Sequence, residues 1–99
     1  GENMNVNAIT NKAKRLVMDY FNSRAEITDN TIITEDQIYI VWFSKTLQNW
    51  KALVSTTISD GMYYEVTYNG DKKETYIDAY KKWENVCIPD YHYDLYYNY

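Results

Sequence analysis

One histidine, His92, and one cysteine, Cys87, bound the chemistry open to this chain of 99 residues. Nucleophilic catalysis of the Ser–His–acid or Cys–His kind needs a base held beside the nucleophile. A lone histidine in the C-terminal tail argues against such a site, and no catalytic residue is assigned. One Cys and one His also exclude the common structural zinc sites. Glycine stands only at positions 1, 61 and 70, so no glycine-rich loop can bring backbone close to a phosphate. No cofactor is expected. Cys87, between Val86 and Ile88, reads as a small buried hydrophobe rather than a reactive thiol.

Three constellations remain. Asp90, His92 and Asp94 would share one side of an extended tail and offer two oxygens and one nitrogen to a metal. Three such ligands without a fourth rarely hold an ion, so a solvated edge is the better reading and no metal site is assigned. Glu65, Glu74 and Asp78 cluster carboxylates that could share a raised pKa or a cation, but the same charges on a solvated sheet discourage aggregation. Tyr63, Tyr76 and Tyr80 are the third set. Rings displayed on a sheet stack on nucleobases or anchor a protein interface, where tyrosine is enriched. The plainer role for these rings is to cover a second face, in one chain or in a homodimer.

These residues need a sheet to present them. MYYEVTY and KKETYIDAY flank Asn69-Gly70-Asp71, and Asn-Gly between alternating strands is a strong hairpin code that puts Gly70 at positive φ. A two-residue loop opposes Glu65 to Glu74, whereas a four-residue loop opposes Glu65 to Tyr76. Like charges in direct opposition are unfavourable, which favours the longer loop. Both registers give the same faces. Met62, Tyr64, Val66, Ile77 and Ala79 face the core; Tyr63, Glu65, Thr67, Glu74, Tyr76, Asp78 and Tyr80 face away. The candidate binding residues are therefore Tyr63, Glu65, Tyr76, Asp78 and Tyr80.

Upstream, Ile9, Ala13, Leu16, Val17, Tyr20 and Phe21 form one stripe of a helix from Asn7, capped by Asn5 or Asn7 and ended at Asn22-Ser23. Arg24 to Ile33 is a connector with a brief extended stretch near Thr31 to Ile33. Thr34 and Gln37 form a capping-box pattern, yet IYIVWFSK is β-branched and aromatic almost throughout and reads as a buried strand. A turn over Thr46 to Asn49 leads to a strand at 51–58, and Ser59-Asp60-Gly61 supplies the next turn. Strands near 38–45, 51–58, 62–69 and 73–81 then make a four-stranded antiparallel sheet with the helix across one face, an α+β fold. Gly1 to Asn3 read as a remnant ahead of a start at Met4, giving one domain over 4–90 and a Tyr-rich tail over 91–99. That tail alternates Tyr91, Tyr93, Leu95, Tyr97 and Tyr99 with polar residues, a pattern able to add an edge strand.

Composition agrees with one small globular domain: 45% hydrophobic, 24% charged and 17% aromatic, with twelve Tyr and three Trp against two Phe. Such rings cover apolar area while keeping a polar tip in water. The net charge of −4 and a pI near 4.8 oppose broad attraction to nucleic acid or anionic membranes. No run of eighteen apolar residues and no leader-like start occur, so a cytoplasmic protein off the membrane is expected. One cysteine agrees with a reducing compartment.

Met4 to Asp90, above all KALVST, SDGMYYEVTYNGDK and YKKWEN, resembles a family of small phage and prophage proteins of Gram-positive bacteria that lack an assigned function. The resemblance implies a phage accessory protein in a bacterial host. On the residues, such a protein binds a macromolecule through the open sheet face, and a protein partner fits the acidic neighbours better. The alternative is a small nucleic-acid-binding module that combines basic residues of the helix with the sheet aromatics.

Overall fold

Ile9, Ala13 and Val17 stand four residues apart, on one line of a helix, and all three are buried in helix α1, Val6–Arg24. The computed structural model describes residues 5–24 and 32–91. Of the two candidate caps, Asn5 does the work: its Oδ1 accepts the Ala8 backbone N–H at 2.8 Å, filling one of the free donors of the first turn. Asn22 does not end the helix. Its amide accepts the Ile33 N–H at 3.0 Å and donates to the Ile33 carbonyl at 3.1 Å, so it pairs with backbone as a strand would and pins buried Ile33 under the sheet.

The capping box and the strand at 38–45 are both present, in succession. Thr34 donates its N–H to Gln37 Oε1 at 3.0 Å, and Glu35–Gln37 make a single 3₁₀ turn. Strand β1, Ile38–Thr46, begins at the next residue. It is followed by β2, Asn49–Thr56, β3, Met62–Asn69, and β4, Glu74–Lys81. They form one antiparallel sheet in the order β1-β2-β3-β4, with α1 on one face, which is the expected α+β architecture.

The core lies between α1 and this face. Trp50, Ala52, Val54, Tyr64 and Val66 are buried there with Ile33 and Ile38. Tyr20 meets Tyr64 edge to face, with ring centroids 5.9 Å apart, and Trp50 stacks on Tyr68 at 5.7 Å. Leu16 is only half-buried. Ala79, assigned to the core, is exposed, and Ile77 and Met62 are partly so, because α1 packs on β1, β2 and β3 and stops short of β4.

Strand β1 is not buried on both sides. It is a sheet edge, and a bulge between Ile40 and Trp42 breaks its alternation. Tyr39, Val41 and Trp42 are therefore exposed. Cys87 is exposed as well, because Lys82 to Pro89 carry no regular structure and every residue there is exposed. Asp90 and Tyr91 are helical; the remainder of the tail pattern, with His92 and Asp94, and the proposed start at Met4 lie outside the described residues.

The β3–β4 register matches neither expected pairing. Asn69 pairs with Glu74 and Glu65 with Asp78, two residues beyond the four-residue alternative, with unchanged faces. Positive φ falls on Lys73 (54°), not on Gly70. Asn69 Oδ1 accepts the N–H groups of Asp71 and Lys72 at 3.0 and 3.2 Å, which lets the loop turn without Gly70 entering the left-handed region. Gly70 is needed for a different reason. A Cβ there would stand 2.7 Å from Gln48 Cβ and closer still to its backbone oxygen, and its N–H donates to Asn49 Oδ1 at 2.8 Å. Gly61 does take positive φ (72°), as its turn requires.

Candidate functional site

On a strand, alternate residues share a face, and the observed pairing turns that rule into rows across the sheet. One row runs Tyr39, Ser55, Tyr63, Tyr80; the next runs Trp42, Leu53, Glu65, Asp78; the third runs Ser44, Lys51, Thr67, Tyr76. All lie on the side away from α1. The five candidate residues are thus brought together: Tyr63 beside Tyr80, Glu65 beside Asp78, and Tyr76 one row on.

This face keeps exposed rings, with Ser55 buried among them. Tyr76 and Tyr80 are 53% and 52% exposed, and Tyr39 and Trp42 more than two-fifths exposed, whereas Tyr63 and Glu65 are half-buried between their neighbours. Tyr39 and Trp42 are the members that sequence reasoning missed. For Tyr39 the signal was its polar partner Ser55, in a strand whose Trp50, Ala52 and Val54 face the core; Trp42 pairs with Leu53 and carried no such signal.

The face carries Glu65, Glu74 and Asp78 against Lys51. Glu65 and Asp78 are directly opposed, and Lys51 Nζ sits 3.6 Å from Glu65 Oε1, offsetting part of that repulsion. Both groups of the ion pair reach water, so it contributes little to stability and mainly orients the two side chains. The Tyr76 hydroxyl donates to Glu74 Oε2. That hydrogen bond, then the Glu74 charge, raises the Tyr76 pKa above its usual 10.0. The ring is therefore a neutral hydrogen-bonding group at neutral pH.

Two shallow depressions mark the surface. One, of about 310 Å³, is bordered by Trp42, Ser44, Lys51 and Thr67 and reaches Trp50 and Tyr68 of the covered side; the other, of about 330 Å³, by Tyr39, Ser55, Ile58, Tyr63 and Lys82. Both are open and mix ring surface with a few polar groups. Such relief suits side chains of a macromolecular partner better than an enclosed small molecule, which wants a deeper cleft. Among the described residues no three His, Cys, Asp or Glu groups are arranged to hold a metal ion.

The cations of α1 are elsewhere. Lys12 Nζ lies 4.9 Å over the Tyr68 ring, Arg24 lies 4.5 Å over Tyr20, and Arg15 Nε is 3.0 Å from Glu35 Oε1. All are on the covered side of the sheet, so helix cations and open-face aromatics do not form one surface. No helix among the described residues is long and apolar enough to cross a membrane.

Residues 10–90 match the model of a protein family described only as of unknown function, DUF6275. No curated protein and no solved structure matches the chain.

Proposed function

The chain belongs to the DUF6275 family of unknown function, and from that premise we propose that it is a non-enzymatic accessory protein of phage or prophage origin that binds a protein through its open sheet face. The phage origin rests on the resemblance of KALVST, SDGMYYEVTYNGDK and YKKWEN. The observation that carries the binding role is the row-wise display of Tyr39, Trp42, Tyr76 and Tyr80, uncovered and flanked by carboxylates. Tyr and Trp dominate the energetics of protein interfaces, while Glu65, Glu74 and Asp78 repel phosphates. The separation of helix cations from these rings favours a protein over a nucleic acid.

A photo-crosslinking side chain at Trp42 or Tyr80, compared with one at Asn11 on α1, tests this in bacterial host lysate. Adducts at the open face that survive nuclease support the reading. Adducts lost on nuclease treatment, or equal labelling at Asn11, overturn it.

A further inference from the structure

Every residue from Asp78 to Tyr91 is exposed. Beyond β4 the chain continues as an arm, Lys82 to Tyr91, in which Trp83 is 97% exposed and Val86, Ile88 and Tyr91 are each more than three-fifths exposed. Scattered single apolar residues on a surface are ordinary; four within one exposed ten-residue strap are not. The same molecule carries an uncovered aromatic face. We propose that the two belong together across a two-fold pair: the arm of one copy lies over the open sheet face of a second copy, and the reverse. This rests on the reading of that face as a protein-binding surface and names its occupant.

The Lys82 N–H donates to the Gly61 carbonyl at 2.7 Å, extending the β3–β4 pairing one step past Lys81, so the chain leaves along the strand axis. Folding back would need a reverse turn, for which Asn85 is the one turn-forming residue between Lys81 and Ile88. A second copy needs no such turn. In extended form the arm spans about 30 Å, against about 14 Å for the three strand spacings it must cross.

The area fits. Trp83 and Tyr91 each bury about 150–250 Å² when covered. Two arms, with an equal area covered beneath them, give about 1,200–2,000 Å², the range of stable interfaces. The pairing is self-complementary, as a two-fold interface must be.

Cys87 sits in the middle of the arm, is the chain's single thiol and is exposed, which makes it the natural probe. Full-length wild type is mixed with the S44C/C87S variant, whose new thiol borders the open-face depression, or with N11C/C87S as a control, under mild oxidation. Disulfide-linked pairs with S44C/C87S and not with N11C/C87S are expected. Sedimentation equilibrium of W83A should show association weakened about thirty-fold or more. Its urea midpoint, measured where both proteins are monomeric, should equal that of wild type, because Trp83 is almost wholly exposed within its own chain.

A chain monomeric at every concentration tested overturns the proposal. So does equal linkage to both partners, or an S44C single variant whose disulfide with Cys87 closes within one chain. If copies do not pair while the crosslinker at Trp42 still captures a nuclease-resistant protein, the second copy is the wrong occupant and the open-face reading stands. Failure of both experiments removes both.

Discussion

The two faces of one sheet are built from alternate residues of the same strands and have opposite fates. Toward α1, Ala52, Val54 and Val66 are completely buried, with Trp50 and Tyr64 almost so. Away from it, Tyr39, Trp42, Tyr76 and Tyr80 remain about half in water. Among the described residues the rings are divided: Phe43, Trp50, Tyr64 and Tyr68 of the sheet join the core with Tyr20 and Phe21 of α1, while Tyr39, Trp42, Tyr63, Tyr76 and Tyr80 lie on the other face. One helix closes one face, and the other stays available for binding.

The sharpest way to break this contrast is to truncate one tryptophan from each side. Trp50 is buried and stacked on Tyr68, so Trp50→Ala should destabilise by about 3–5 kcal/mol. Trp42→Ala removes a ring that already faces water and should cost less than about 1 kcal/mol in the monomer. Urea unfolding of both variants at low protein concentration decides the matter. Equal losses would mean that the open face is a second core.

The turns sharpen the comparison at smaller scale. Gly70→Ala drives a methyl group into Gln48 backbone and should destabilise by about 1–3 kcal/mol, read as a lowered urea midpoint. An unchanged midpoint would show that the β1–β2 turn yields freely. Asn22→Ala leaves the Ile33 N–H and carbonyl without their partner at the edge of the covered side, an expected loss of about 1–2 kcal/mol. Asn11→Ala, exposed on the same helix, should stay within about 0.5 kcal/mol. Lys73→Gly works in the opposite direction. It relieves a positive φ at an exposed loop position and should raise stability by about 0.5–1 kcal/mol, visible as a higher melting temperature.

What the sequence made legible was parity. Alternation through MYYEVTY and KKETYIDAY places Tyr63, Glu65, Tyr76, Asp78 and Tyr80 on one face, whichever even-numbered loop joins them. Register was not legible, because avoidance of like-charge pairs is a weak rule where water and a neighbouring strand can compensate. Glu65 opposes Asp78 with Lys51 reaching in from β2. Parity also fails where a strand is bulged. The extra residue between Ile40 and Trp42 makes YIVWF look apolar on both sides, which concealed Tyr39 and Trp42 from the candidate site. Asn22 was misjudged for a related reason: a turn-forming residue type says nothing about a backbone partner eleven positions away. Cys87 shows that apolar neighbours in sequence do not guarantee burial when the chain has left the sheet.

The smallest expected effect separates the faces by titration. Tyr64 and Tyr76 both have pKa values raised above the usual 10.0, from different causes. For Tyr64, on the covered side, burial comes first, followed by the charges of Asp60 and Tyr20. For Tyr76, on the open side, the hydrogen bond to Glu74 comes first. A tyrosine whose folded pKa is raised keeps a proton that the unfolded chain releases near pH 10. Its contribution to stability is therefore complete below about pH 10 and is lost as pH rises through the folded value. The wild-type urea midpoint should accordingly decline as pH rises past about 10, and Tyr64→Phe should flatten that decline. Ultraviolet titration in low and high salt then distinguishes the two rings. Added salt should leave the Tyr64 shift largely in place, because burial is not screened, and should diminish the charge-dependent part of the Tyr76 shift, which is exposed to ions. A Tyr64 shift that vanishes in salt would place that ring in water and contradict the covered face; a Tyr76 shift insensitive to salt would place it under a cover on the face described here as open.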